Sequence, residues 1–336
     1  MEQLSRRGKT ISRLTFGTAQ IGLEYGIANA TGKPDDGRVA EMLRYAVGNG
    51  VTSFDTARAY GDAETRLGRF LSAGDIPDTL YITTKLNIGV GKPVAGGVIL
   101  SSGELHEYEE GFRMLGAGLE KAVIEAVEDS LAKLCLAKAD CVMLHSPIEM
   151  MAGGKALAKA MGRLVAGGYA GEVGVSLYHP GEAEAMMRYD EYTAVQLPAS
   201  LFDQKMIHSG TLKKLKERGI VVFVRSVFLQ GVFFLDPDEM QDPLLIKHAA
   251  PYIRILRSIA ADEGMSVTQL ALSFIRDTEG VASLVLGCET VEQIRENVGL
   301  VYGPPISQKG MDRISREFRA VDVEGIMTVL RRPKNA

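Results

Sequence analysis

Asp55 and Tyr60 in the fragment FDTARAYG, Lys85 at the end of YITTK and His145 at the end of CVMLHSP place a carboxylate, a phenol, an ammonium and an imidazole at the ends of successive apolar runs. That set suits carbonyl/alcohol redox chemistry. Hydride delivery to a carbonyl builds negative charge on oxygen, so a site must supply a proton and steady the developing alkoxide. Tyr60 can donate the proton. Its phenol has an ordinary pKa of about 10, so the neighbouring Lys85 is expected to favour the phenolate, with Asp55 keeping Lys85 charged and oriented. His145 can give the substrate oxygen a second hydrogen bond and fix its direction. Taken singly, Asp55 suits a helix cap, Tyr60 a packing aromatic and Lys85 a solvated strand end. A structural, hydrogen-bonded role is the rival for His145. Together the four point to one reactive site.

Such a site needs elements that carry these side chains to one place. Short, partly β-branched apolar runs alternate with amphipathic stretches, the pattern of βα units around a parallel sheet. Strands are expected near 13–18, 51–55, 80–85, 139–145, 172–176, 193–196, 220–226 and 282–286, and Gly50, Gly168 and Gly219 stand where left-handed helix stops are favourable. Eight strands with helices between them predict an α/β fold, a (β/α)8 TIM barrel, as a single domain over 1–336. Its chemistry belongs at the C-terminal ends of the strands. Residues 86–118 exceed what the barrel needs and read as a long rim loop shaping substrate access. The tail 301–336 reads as an excursion with a solvated basic end.

On these residues the chain resembles the aldo-keto reductase family. The likeness runs in order through RLTFGTAQIG, FDTARAYGDAETRLGRFL, YITTKL, DSLAKLCLAKADCVMLHSP, AGEVGVSLYHP, AVQLPASLFDQ and LVLGCETVEQIRENV, nearly the whole chain. The resemblance implies a (β/α)8 barrel, a nicotinamide cofactor bound extended without a Rossmann domain, and Tyr60 as general acid/base with Asp55, Lys85 and His145 around it. It also implies a carboxamide contact at Ser176 and Gln196, with Gly17 and Thr18 bordering the nicotinamide. Ser226 and Gly231 match the pyrophosphate-contacting loop, and Gln293 and Asn297 the adenine end. LGAGLEK, with one Gly-x-Gly before a helix, is weak evidence for a Rossmann site.

Three positions depart from the family pattern. Leu177 stands where many relatives have Asn, removing one carboxamide contact. Arg225 replaces an aromatic residue that stacks on nicotinamide; its planar guanidinium can stack instead or bind an anionic group on the substrate. Glu289 falls where NADP-dependent relatives carry an arginine for the ribose 2′-phosphate, so NAD(H) is expected over NADP(H), with Arg295 as the cation that would oppose this. GTAQIGLEYGIAN and VRSVFLQG are similar to bacterial members associated with sugar or glycan metabolism, which makes a sugar or cyclitol the expected carbonyl or alcohol substrate. The alternatives are a redox-neutral epimerase with retained NAD and a non-catalytic cofactor-sensing regulatory protein. Retention of all four catalytic types weighs against the last.

Composition sets the outer bounds. With 336 residues, 46% hydrophobic and 24% charged, the chain can bury a large core, and a net charge of −4 gives no support for nucleic-acid binding. No run reaches the roughly 18 apolar residues of a membrane span, and MEQLSRRGKTISRLTF lacks a signal-type apolar run, so cytoplasmic residence is expected. Three cysteines, with no C-x-x-C pair or zinc-type histidine spacing, read as free thiols and no metal site is expected. A homo-oligomer stays open.

Overall fold

Each apolar run pairs with the next across a parallel ladder, because the intervening amphipathic helices return the chain to the same edge. The computed structural model describes residues 3–27, 29, 32–74, 76–90 and 102–332. Among them, β3 (Leu14–Gly17), β4 (Ser53–Asp55), β5 (Tyr81–Leu86), β6 (Ala139–Leu144), β7 (Ala170–Ser176), β8 (Tyr192–Pro198), β9 (Val221–Arg225) and β10 (Ser283–Gly287) form a closed eight-stranded barrel. The closing strand β10 pairs Leu284 with Leu14 on β3 and Ser283 with Phe223 on β9. The eight expected strands are thus present, and Gly50, Gly168 and Gly219 all have positive φ.

Side chains alternate between the lumen and the helix layer. Tyr81, Cys141, Met143, Ala194, Val221 and Phe223 meet in the lumen, where the rings of Tyr81 and Phe223, from opposite sides of the barrel, stack at 6.2 Å. Further along the same inward phase stand Lys85, two steps after Tyr81, and His145, Gln196 and Arg225, one step after Met143, Ala194 and Phe223. They therefore form the layer at the C-terminal mouth.

The N-terminal end is sealed by a hairpin that the sequence reading did not anticipate. β1 (Gln3–Arg6) and β2 (Lys9–Ser12) pair antiparallel through the two-residue turn Arg7-Gly8, both at positive φ (51° and 80°), a geometry suited to a tight hairpin. Ile11 plugs the lumen. Arg6 reaches Glu172 at 2.7 Å and Lys9 reaches Asp140 at 2.9 Å.

Two expectations about excursions are corrected. Residues 86–118 are not loop throughout: Ser102–Leu115 is an α-helix, because Leu105, Tyr108 and Phe112 share one face and pack into the core. The start of the segment is tied down by buried Glu149, which accepts from the Ile88 N–H at 2.7 Å. Residues 91–101 lie outside the described residues. The tail is not a solvated excursion either. Helices Gln308–Glu317 and Val323–Leu330 fold back on the barrel through Ile314, Phe318 and Ile326, each at most 1% exposed. At its basic end Arg331 pairs with Glu324 at 3.1 Å and Arg332 with Asp242 at 2.5 Å, and residues 333–336 lie outside the described residues.

Cys135, Cys141 and Cys288 are free thiols. Among the described residues no cluster of His, Cys, Asp or Glu is arranged to hold a metal ion, and no helix is long and apolar enough to cross a membrane.

Candidate active site

The mouth is organised by Asp55, the last residue of β4 and 2% exposed. Its Oδ1 accepts from Lys85 Nζ at 2.6 Å, and its Oδ2 accepts from Gln196 Nε2 at 2.7 Å. Lys85, fully buried, also donates to the Thr56 carbonyl at 3.0 Å and reaches the Tyr60 hydroxyl at 3.4 Å. All three ammonium donors are therefore placed.

Tyr60 is held by backbone rather than by its ring. It sits in the turn between β4 and the helix Ala63–Leu71, with Tyr60 N–H bonded to the Ala57 carbonyl at 3.0 Å and Ala63 N–H to the Tyr60 carbonyl at 3.1 Å. Gly22 lies directly against this turn; a Cβ there would stand 1.9 Å from the Tyr60 carbonyl oxygen. His145 follows β6, its N–H bonded to the Leu86 carbonyl at 2.8 Å, and its ring meets Tyr60 edge-on at 5.5 Å.

Burial governs the ionisation of the cluster. It pulls the Lys85 ammonium below its ordinary pKa, opposed by Asp55. The Tyr60 phenol is raised by burial first and Asp55 second, with Arg225 opposing. The expected drift of Tyr60 towards phenolate is thus corrected: burial and the Asp55 charge hold the proton on the phenol, and Arg225 offsets them only in part. His145 is lowered to about 3 by burial, then by Lys85 and Arg225. It is a neutral imidazole with one donor and one acceptor. Its ring nitrogens make no hydrogen bond to the described residues, which disfavours the structural reading.

A cleft of about 680 Å³, within the usual range for small-molecule sites, opens over this cluster. Asp55, Tyr60, His145, Gly17, Ser176, Gln196, Arg225, Ser226, Gly231, Glu289, Gln293 and Asn297 all line it. Lys85 lies beneath Tyr60, and Thr18 falls behind the wall, fully buried, its N–H holding the Asp55 carbonyl at 2.9 Å. Thr18 follows the last residue of β3 as the N-cap of the short helix Ala19–Gly22 (φ −94°, ψ 5°), outside the strand's alternation. Leu177, after Ser176, is turned into the core by the strand pleat.

At the far end Glu289 and Gln293 pair reciprocally, Gln293 Nε2 donating to Glu289 Oε2 at 3.0 Å and Glu289 N–H to Gln293 Oε1 at 2.8 Å. Asn297 donates to Cys288 Sγ at 3.3 Å. Ser226 and Gly231 lie in a loop where Ser226, Leu229, Gln230 and Gly231 all have positive φ, and the Gln230 carbonyl accepts from Ile27 N–H at 3.1 Å.

The sequence reading missed Tyr25, Tyr178, Phe228, Phe234, Met327 and Arg331, which also line the cleft. Tyr178 was findable, since it stands two residues past Ser176 in strand phase. Burial first and the nearby Tyr60 second push the Tyr25 phenol up to about 12. Met327 and Arg331 come from the tail, and no local pattern announces them.

A dinucleotide needs a polar grip for its carboxamide, and Ser176 Oγ and Gln196 Oε1 face the cleft wall with no hydrogen-bond partner among the described residues. The donor set fits the group. Fold and site together define a (β/α)8 barrel with a phenol, an ammonium, a carboxylate and an imidazole gathered at its mouth. The chain belongs to the aldo/keto reductase family, whose model matches residues 13–316, and members of this oxidoreductase family use nicotinamide cofactors. It is 24% identical over 305 residues to the L-glyceraldehyde 3-phosphate reductase of Escherichia coli (strain K12), covering 82% of each chain. It is 24% identical over 334 residues to the L-galactose dehydrogenase of Arabidopsis thaliana, covering 93% of this chain and 91% of that one. Among solved structures it is similar to the glycerol dehydrogenase from Gluconobacter oxydans (TM-score 0.69, 20% identity, 96% of each chain). It is also similar to an aldo-keto reductase from Bacillus halodurans in its holo form (TM-score 0.68, 18% identity, 94% of this chain and 95% of that one).

Because the Tyr60 turn rests on Gly22, Gly22→Ala must push it outward. The expected cost is about 1–3 kcal/mol in denaturant unfolding; an unchanged unfolding midpoint would show that the contact is not tight.

Proposed function

We propose that the protein transfers hydride between a nicotinamide cofactor and a small polar carbonyl/alcohol substrate, with Tyr60 as the proton donor in reduction and the acceptor in oxidation. The observation that carries this reading is the Tyr60 hydroxyl 3.4 Å from a Lys85 ammonium that is itself locked on Asp55, at the floor of the cleft. Ser176 and Gln196 would hold the nicotinamide, which when bound would supply or accept the hydride. Neutral His145 donates a hydrogen bond to the substrate oxygen, so the reacting carbon is oriented without adding charge. Lys85 steadies the phenolate formed once Tyr60 has given its proton. The names of the two curated relatives, a reductase of a sugar phosphate and a dehydrogenase of a sugar, support a polyhydroxylated substrate.

NAD(H) is the cofactor this reading favours. Glu289 and Glu296 line the far end of the cleft, where carboxylates repel a ribose 2′-phosphate and accept from a free ribose hydroxyl. Arg295 does not line the cleft; its Nε donates to the Tyr45 hydroxyl at 3.1 Å. Arg331, at the cleft, is paired with Glu324. Steady-state kcat/KM measured with NADH and NADPH should favour NADH; a strong NADPH preference would remove this assignment.

Tyr60→Phe should keep cofactor binding and lower kcat by about 10²–10⁴-fold. Since the Tyr60 phenol is raised, alcohol oxidation, which needs the phenolate, should climb with pH from neutrality past the ordinary phenol range without levelling. Carbonyl reduction, which needs the phenol, should stay flat there. A plateau of oxidation near neutral pH, or near-normal turnover in Tyr60→Phe, contradicts the role.

A further inference from the structure

The charges at the mouth do not balance. Lys85 is matched by Asp55 at 2.6 Å, and His145 is neutral. Arg225 adds a permanent cation to the same cleft, and no carboxylate pairs with it among the described residues. A half-buried charge without a counter-ion is costly, and an anion arriving in the cleft would offset that cost.

Its placement is built. Arg225 ends β9 in register with Pro198, and its carbonyl accepts from Ala199 N–H at 3.2 Å. Phe223, two residues earlier, points into the lumen, so the Arg225 side chain leaves the strand towards the mouth. The guanidinium lies over the Tyr178 ring with its carbon 4.4 Å from the centroid, and Nη2 donates to the Leu177 carbonyl at 3.3 Å. These contacts fix its plane while using one of its five N–H donors. It stands close enough to Tyr60, Tyr25, Lys85 and His145 to bias the ionisation of each. That puts it at the reacting end of the cleft, away from Glu289.

We propose that Arg225, held flat on Tyr178, recognises a carboxylate or phosphate on the substrate, making the preferred substrate an anionic aldehyde or ketone, or the corresponding alcohol. The inference rests on the oxidoreductase reading above and deepens it. A planar fork with free parallel donors suits a bidentate grip on either anion, which a lysine could not reproduce. Both the anion and the carbonyl must then fit between Arg225 and Tyr60, so the charged group lies a short chain away from the reacting carbon.

The test compares kcat/KM for two matched pairs, glycolaldehyde phosphate against glycolaldehyde and succinic semialdehyde against butyraldehyde, in the wild-type holoenzyme, Arg225→Gln and Arg225→Lys. The wild type should favour the anionic member of at least one pair by about tenfold or more, and the responding pair tells phosphate from carboxylate. Arg225→Gln should lower that ratio by about tenfold, with partial recovery in Arg225→Lys. The ratio cancels any change common to both substrates, weakened cofactor binding included. No anionic preference in the wild type, or a ratio untouched by Arg225→Gln, overturns the proposal. A calorimetric titration of NADH-saturated protein with inorganic phosphate and with succinate serves if no carbonyl is turned over, an outcome that sinks the oxidoreductase reading alone. In that arm, binding lost in Arg225→Gln supports the anion site, and binding absent from the wild type or equal in both overturns it.

Discussion

One buried carboxylate holds the mouth of this barrel together. Asp55 on β4 binds Lys85 from the neighbouring β5 with one oxygen and Gln196 from β8, across the lumen, with the other. Burying an ion pair is expensive, and its attraction compensates only when the remaining donors and acceptors are satisfied. Here they are, since Lys85 also reaches the Thr56 carbonyl and the Tyr60 hydroxyl. Removing one partner would leave a charge stranded in a dry site. The clamp sets Lys85 beneath the phenol and Gln196 in the cleft wall.

The clamp is possible because the strand pleat has a period of two. Ser53 and Asp55, Thr83 and Lys85, Met143 and His145, Ala194 and Gln196, Phe223 and Arg225 are in phase, so the packed lumen passes into the polar mouth within one step. The same phase separates Ser176 from Leu177. This part of the site was legible in the sequence, because polar residues at the ends of apolar runs reveal both strand and direction. Thr18 was misplaced only because its neighbour's role was extended one residue too far.

What was not legible depends on packing between distant segments. The hairpin β1–β2 earns its place by pushing Ile11 into the lumen, which no alternation within QLSRRGKTIS discloses. The helix Ser102–Leu115 was obscured by its glycine-rich approach, although Leu105, Tyr108 and Phe112 carry a helical period. Met327 and Arg331 reach the cleft only because the tail folds back over the barrel. The ionisation of Tyr60 was misjudged for a related reason: sequence shows which charges are near, not how much water the fold removes. With His145 neutral, Tyr60 protonated and Lys85 matched, Arg225 is left as the one unmatched charge of this cluster, which links its electrostatics to substrate choice.

The clamp is tested most directly by a double-mutant cycle on unfolding free energy with Asp55→Asn, Lys85→Met and the pair. Each single change should cost roughly 3–5 kcal/mol, and the double change far less than their sum, because the second substitution removes the charge stranded by the first. Additive losses would show that the two groups do not depend on each other, and the site would need another organising contact.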